Sequence, residues 1–477
     1  MRALLVNPWI CDFATYDLWA KPLGLLQIAA YLRRAGVEVI LIDCLDRFAP
    51  RLVGYLREKY PERRYPRATP YGDGSYHAEI IPKPPAYRDV PRRYKRYGMP
   101  VELFRRLLRE SPQPDVVLVT SGLTYWYPGV FEAIRLLREE FGPVPLLLGG
   151  IYAALCPEHA RQYSGADVVY TSAALPEILC LAREATSARL PELPPAAAEE
   201  ARVFPAYDLY PELRYLTLRT SAGCPFRCSY CGWYLLTEGG RYSRLAPDLV
   251  GRAIEHSYLN LNVRNFAFYD EALLYRAEEH LLPILKGILQ KGMQCFFHTP
   301  NALHARFITP ETAIAMKRAG FVQPRLALET VDPERQRQTG GKVNAREVER
   351  ALFYLIQAGY ASREVGINVL VGLPKQPLTE VEASLEFVHC LGARIFLEEY
   401  APVPGTPAYR ESGLPPDADP LLHNNSIFPL YGPEHYAQFQ RIKELAHRLN
   451  RELKGKPGMP DKPRHLFPAK DPLSGIN

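Results

Sequence analysis

Ser221-Ala222-Gly223-Cys224-Pro225-Phe226-Arg227-Cys228-Ser229-Tyr230-Cys231-Gly232 sets three cysteines in a C-x3-C-x2-C run directly after a strand-like segment, Tyr215-Leu216-Thr217-Leu218-Arg219-Thr220. From one loop, three thiolates can converge on a single metal centre. A structural zinc site closes with four ligands, and a complete ferredoxin-type cluster takes four cysteines, so a loop offering three points to a cluster with one iron left open. An open iron can hold a substrate or cofactor. The competing reading is three cysteines that ligate zinc or nothing.

Outward from this loop, residues 215 to 400 read as six strand-helix units. Strands are predicted at 215–221, 264–270, 294–298, 323–329, 364–371 and 393–400, with helical spacing at 247–260, 277–290, 310–319, 344–358 and 379–391. Six parallel units without the last two imply an open, partial barrel whose chemistry lies at the carboxyl ends of its strands.

With Tyr230 just before its last cysteine, the run resembles the signature loop of the radical S-adenosylmethionine (radical SAM) enzymes. The resemblance implies a 4Fe-4S cluster held by Cys224, Cys228 and Cys231, with S-adenosylmethionine chelated on the open iron. It also assigns expectations to the strand ends. Asp270 or Glu271 would accept from the ammonium of the methionine moiety, the alternative for an Asp there being a helix N-cap. Glu329 would take both ribose hydroxyls, the alternative being a structural salt bridge. Gly366-Ile367-Asn368 and Val371-Gly372-Leu373-Pro374 resemble the segment that supports adenine through backbone contacts, with Gly372 in it. The turn Pro402-Val403-Pro404-Gly405-Thr406-Pro407 resembles that of the cobalamin-associated members of the family. Gln338-Thr339-Gly340-Gly341-Lys342 lacks the spacing of a phosphate loop. His298, Asn301 and His304 flank the third strand as substrate contacts or ordinary loop residues.

Before the barrel, residues 1–185 alternate strands and helices. Strands at 2–7, 37–43, 115–120 and 144–148, with helices at 22–32, 101–110 and 129–141, call for a doubly wound, Rossmann-like parallel sheet. Ser121-Gly122-Leu123 follows the third strand and Gly149-Gly150 the fourth. These resemble the S-x-L and G-G elements of the cobalamin-binding Rossmann motif, in which small residues admit the nucleotide tail between strands. The family's D-x-H-x-x-G element is missing: Asp17-Leu18-Trp19-Ala20-Lys21-Pro22 lies about where it belongs, and no histidine precedes His77. The resemblance therefore implies cobalamin without a protein histidine as lower ligand, or a domain that kept the fold and lost the cofactor. Trp126 and Tyr127 would face the corrin or sit in the core.

The expected organisation is a cobalamin-type domain at 1–185, a Pro-rich linker at 186–212, the partial barrel at 213–410 and a small C-terminal extension at 411–477. The extension contains one amphipathic helix near 434–453, expected to cap the barrel mouth, and a loosely ordered Pro- and Lys-rich end from 455 to 477. Between 51 and 100, twelve Lys or Arg face five Asp or Glu, with eight tyrosines among them. Its prolines make this stretch read as a long, solvated and partly packed insertion.

Composition bounds the rest. The chain has 477 residues, 47% hydrophobic and 23% charged, which suits a folded protein of two or three domains. A net charge of +6 gives little reason to invoke nucleic acid. Neither a secretory signal nor a window of ~18 uncharged apolar residues is present, so the expected location is the cytoplasm. Six further cysteines, scattered along the chain, make no disulfide framework.

Taken together, the resemblance implies an enzyme that cleaves S-adenosylmethionine to a 5'-deoxyadenosyl radical. With cobalamin it would methylate an unactivated carbon of a small-molecule or peptide substrate, with an electron donor such as flavodoxin or ferredoxin. The alternatives are cobalamin-assisted cyclisation or rearrangement, a radical SAM enzyme with a vestigial cobalamin domain, and a non-enzymatic metal-bearing module.

Overall fold

The computed structural model describes residues 1–237, 240–426 and 436–455. The expectation for the chain's last twenty-odd residues lies outside the described residues from 456 onward.

Arg2–Asn7 (β1) is buried from Ala3 to Val6, the mark of a central strand covered on both faces. It pairs in parallel with Glu38–Asp43 (β2) and Val116–Val119 (β3), and the sheet continues through Leu146–Leu148 (β4) to Val168–Val169 (β5). The order β2-β1-β3-β4-β5 is the flavodoxin-like one, and its switch point lies between β1 and β3. Ser121 follows β3, so the S-x-L loop stands at that switch point.

The stretch 51–100, expected as a solvated and partly packed insertion, carries more regular structure than its charge and prolines suggested. Pro50–Lys59 is a helix, and Ala78–Ile80 and Lys95–Tyr97 form an antiparallel sheet with Ile10–Asp12. Tyr65, Tyr76, Tyr87, Tyr94 and Tyr97 are all buried. Their burial is tolerable because the hydroxyls find acceptors: Tyr94 donates to the Cys11 carbonyl at 3.1 Å, Tyr97 to Phe13 at 3.1 Å and Tyr87 to Leu421 at 3.0 Å.

The Pro-rich stretch expected as a linker carries a helix, Pro195–Val203, whose Ala197, Ala198 and Ala201 pack into the core shared with helix Leu23–Arg34.

The barrel begins at Tyr215–Leu218 (β6), the edge of a parallel three-stranded sheet with Asn265–Phe268 (β7) and Phe296–His298 (β8). The expected third strand then splits. The chain leaves β8, turns at Thr299–Ala302, and enters a second sheet as Leu303–His304 (β9), followed by Arg325–Glu329 (β10), Gly366–Val371 (β11) and Arg394–Glu399 (β12). A single bridge, Phe297 to Phe321, spans the break. Leu326, Ile367 and Ile395 are buried against the outer helices. By strand alternation Arg325, Asn368 and Phe396 face the lumen.

The first domain meets the barrel through the segment that replaces the missing histidine motif. Asp17 accepts from the buried guanidinium of Arg47 at 2.7 Å and from the Tyr215 hydroxyl at 2.7 Å. Thr217 Oγ1 donates to the Trp19 carbonyl and accepts from Lys21 N. Trp19 stacks on His298 with centroids 4.0 Å apart. At the other edge, residues 419–424 run back to the first domain, where Asn424 Nδ2 donates to Asp12 and the Tyr127 hydroxyl donates to Asp419. Both edges of the open barrel are thus tied to one domain.

The C-terminal helix, Tyr436–Gly455, lies along the free edge of β12. Asn450 Oδ1 accepts from Ile395 N and its Nδ2 donates to Ile395 O, both at 2.9 Å, so one side chain satisfies the edge strand as a neighbouring strand would. Asn450→Ala is expected to lower stability by ~1–2 kcal/mol in urea unfolding, because both backbone groups lose their partner. An unchanged midpoint would show that water replaces the amide at no cost.

Candidate active site at the cysteine loop

The cysteine loop grows out of β6, and a buried carboxylate at the end of β7 holds it there. Asp270, 3% exposed, accepts from Thr220 N (3.0 Å), Thr220 Oγ1 (2.8 Å), Ser221 N (2.6 Å) and Ser221 Oγ (2.6 Å). His280 Nε2 reaches Thr220 Oγ1 from behind at 2.9 Å. The geometry corrects the N-cap alternative for Asp270, because the next α-helix begins only at Leu281. The four donors from Thr220 and Ser221 all meet at Oδ1, and Oδ2 takes only a longer contact from Thr220 N at 3.2 Å, so the carboxylate holds the loop with one oxygen. Glu271 is freer: one oxygen accepts from Arg219 at 2.6 Å and the other from Gly223 N at 3.1 Å, which leaves acceptor capacity on a carboxylate.

Cys224 and Cys231 are half-buried and Cys228 is buried, all three as free thiols. Among the described residues no three His, Cys, Asp or Glu side chains close on a single metal ion. Burial pushes the Cys224 thiol up to about 11 and raises Cys228 and Cys231 as well, so the loop is a set of neutral thiols until a cation displaces their protons. Three thiols with no fourth fit a cluster with an open corner.

A second loop supports the first. Ser229 N donates to the Thr339 carbonyl at 3.2 Å, and at Gly340, φ +113°, a Cβ would fall 3.1 Å from Cys228 Cα. Glycine permits this approach. The stretch 338–342 thus acts as the backing of the cysteine loop, and it delivers Lys342 to the site. Lys342 Nζ lies 2.5 Å from Glu329 Oε1 and 5.5 Å from the centre of the Tyr230 ring. Glu329 itself sits at φ +68°, beside a register shift between β10 and β11. A non-glycine residue in that region costs about 1–3 kcal/mol, and such strain concentrates at functional positions. The sequence contained Lys342, but its role depends on a loop contact more than a hundred residues away.

His304 is the other residue the sequence left open. It is 7% exposed, lies between Phe226 and Phe307, and brings Nε2 to 3.6 Å from Cys224 Sγ. Burial pushes its ring down to about 3, so it is neutral and, with Nε2 protonated, donates to the sulfur. Gly372 stands apart from these groups. Its N–H and that of Leu373 both donate to Gln376 Oε1, at 3.0 and 3.2 Å, so the expected backbone contact cannot come from this amide.

In the first domain the S-x-L and G-G loops meet. Ser121 Oγ donates to the Gly149 carbonyl at 2.6 Å and accepts from Ala153 N at 3.3 Å. At Gly150, φ +96°, a Cβ would fall 2.3 Å from the Ser121 carbonyl oxygen. Leu123 and Ile151, one from each loop, are 37% and 39% exposed, an apolar pair facing solvent at the carboxyl ends of β3 and β4. Small residues clamped beneath exposed apolar ones fit a large, partly apolar ligand. Trp126 covers Gly122 and donates to Asp12 at 2.9 Å, and Tyr127 packs with Tyr152 and His159.

Residues 218–388 match the family model described as the Radical SAM superfamily. Over most of its length the chain shares its fold with the radical S-adenosylmethionine methyltransferase TsrM from Kitasatospora setae, solved with cobalamin and a 4Fe-4S cluster: TM-score 0.60, 17% identity, 89% of this chain and 85% of that one. The cobalamin-dependent S-adenosylmethionine radical enzyme OxsB, solved with aqua-cobalamin, gives a TM-score of 0.53 at 15% identity, over 93% of this chain and 61% of that one. An uncharacterized methyltransferase of Pyrococcus horikoshii is 23% identical over 194 residues, 38% of this chain and 40% of that protein. The match therefore spans less than half of that relative's length. No helix among the described residues is long and apolar enough to cross a membrane.

Proposed function

The chain carries a radical SAM domain at residues 218–388, and from that premise we propose that it is a cobalamin-dependent radical SAM enzyme that methylates an unactivated carbon. The observation that carries the reading is the loop of three cysteines with no fourth in it, set at the carboxyl end of a parallel barrel strand beside the strained Glu329. Bound there, a 4Fe-4S cluster with S-adenosylmethionine supplies a 5'-deoxyadenosyl radical, and a methylated cobalamin supplies the methyl group.

Each residue of the chain then has a task. Cys224, Cys228 and Cys231 would hold the cluster, at which S-adenosylmethionine would bind through its amino and carboxyl groups. Glu271 accepts from the ammonium. Glu329, turned inward by its backbone, accepts from the ribose hydroxyls, while Lys342 pairs with its Oε1. Tyr230 and the segment around Gly372 bound the adenosyl group. Ser121, Leu123, Gly149 and Gly150 would receive the cobalamin tail, while segment 17–22, which holds no histidine, is engaged with the barrel. The electron donor is a small reductant of the flavodoxin or ferredoxin type.

Reconstitution with hydroxocobalamin followed by desalting tests this reading. A retained corrin absorption, and a methylated product that carries label from methyl-labelled S-adenosylmethionine, are expected. Loss of the corrin band on desalting would contradict methyl transfer and leave a domain that shapes a substrate cleft.

His304 yields a separate expectation. A hydrogen bond to a cluster sulfur raises the reduction potential, so His304→Leu is expected to lower it by roughly 20–60 mV, the one-electron equivalent of a weak hydrogen bond. Redox titration followed by electron paramagnetic resonance (EPR) measures this. An unchanged potential would remove His304 from the cluster's surroundings.

A further inference from the structure

Three neighbouring strands present unspent polar groups to the barrel lumen. On β10, the guanidinium of Arg325 makes no hydrogen bond among the described residues. It lies 3.8 Å from the centre of the Phe396 ring, and its nearest carboxylate oxygen, Glu398 Oε1, is 3.9 Å away, too far for a hydrogen bond. On β12, Glu398 accepts no hydrogen bond either, and 47% of its side chain is reached by solvent. On β11, the buried Oδ1 of Asn368 has no partner. The register sets Asn368 level with Phe396 and Arg325 level with Gly366. At Gly366 a Cβ would fall 2.6 Å from Phe396 Cε2 and 3.2 Å from Arg325 Cγ, so the missing side chain is what lets the ring and the guanidinium stack.

An ion pair built for stability would close to a bidentate contact. This one is held open, in a part of the lumen that water reaches, with an unpartnered amide beside it. A largely buried guanidinium and a buried amide oxygen left without partners among the described residues carry a desolvation cost, and a ligand of matching chemistry relieves it, with the solvent-reached Glu398 free to take its positive end.

We propose that Arg325 and Glu398 hold the zwitterionic head of an α-amino acid, its carboxylate on Arg325 and its ammonium on Glu398, with Asn368 Oδ1 as a further acceptor for the ammonium. The two charges of such a head are separated by one carbon, so it can lie across the gap and give each residue the partner it lacks. Phe396 keeps the guanidinium flat against one wall. Arg325 and Glu329 begin and end the same strand, about 13 Å apart along it, which leaves room for an amino-acid side chain to reach the adenosyl group. The proposal rests on the radical SAM reading and names the substrate class for that site.

The full-length protein, reconstituted with iron and sulfide under anaerobic conditions, is titrated calorimetrically with individual L-amino acids in the presence of S-adenosylmethionine. The methyl ester and the decarboxylated amine of any amino acid that binds are titrated alongside. At least one L-amino acid is expected to bind, with its ester and amine at least tenfold weaker. Arg325→Ala is expected to weaken binding by about 10- to 100-fold and Glu398→Gln by about tenfold. If Arg325→Ala does not fold, Arg325→Lys, which keeps the charge without the planar fork, is expected to cost about tenfold. Failure of every amino acid to bind, equal binding of ester or amine, or unchanged affinity in the Arg325 variant would each overturn the proposal. S-adenosylmethionine is titrated alone in a separate arm. Failure there overturns the radical SAM reading, whereas the amino-acid arm decides the substrate class.

Discussion

Replacing Cys228 by alanine is expected to leave a folded protein that holds no intact cluster and processes S-adenosylmethionine at background. Cys228 is the most deeply buried of the three thiols, lies against Gly340 of the supporting loop, and has no neighbouring cysteine that could take its place. Two thiolates cannot retain a four-iron cluster against chelation or oxygen, and the proposed route for the electron is lost with the cluster. The loss should be on the order of 10³-fold or more, since only the uncatalysed rate remains. Iron content and the visible absorption of the anaerobically reconstituted variant check the first part, and chromatography of adenosyl products the second. Cys390→Ala, which removes an exposed thiol on an outer helix, is the control and is expected to match the unmodified protein in both. Full iron in Cys228→Ala would show that the cluster is ligated elsewhere.

Asp270→Ala should have the largest effect on stability. Removing the carboxylate strands four donors, from Thr220 N, Thr220 Oγ1, Ser221 N and Ser221 Oγ, in a site closed to water. The cost is about 3–5 kcal/mol, the range for removing one member of a buried charged network. These donors begin the cysteine loop, so the cluster should also become labile. Asp270→Asn separates this structural role from the cofactor contact expected on the sequence. Its amide keeps one acceptor but points an N–H2 at the loop, so stability and iron retention fall by a smaller, related amount. A variant that kept both and lost only affinity for S-adenosylmethionine would return Asp270 to the ammonium.

The difference between the two readings of Asp270 shows what a sequence carries. That an acid follows the second barrel strand is visible in Phe268-Tyr269-Asp270-Glu271. That four donors already crowd one of its oxygens depends on where the end of β6 lies in space, fifty residues earlier in the chain. The parallel strands were legible because they are continuous apolar runs, buried on both faces. The S-x-L and G-G loops were legible because the close approach of Gly150 to Ser121 demands glycine. The region from 51 to 100 was not, because its tyrosines alternate with charges and prolines. Their burial depends on distant carbonyls, at Cys11, Phe13 and Leu421, that no local pattern reveals. Lys342 and Arg325 escaped for the same reason, and His304 was left open between a substrate contact and an ordinary loop residue. Each is an ordinary residue until the barrel brings a cysteine, a strained glutamate or an open carboxylate to it.

The most direct measurement of the central claim is the EPR spectrum of the reduced, anaerobically reconstituted protein with and without S-adenosylmethionine. The account requires a four-iron signal that changes on addition of S-adenosylmethionine, because the sulfonium compound occupies the iron that Cys224, Cys228 and Cys231 leave open. A protein that carries zinc, or a cluster whose signal is the same with and without S-adenosylmethionine, would contradict it.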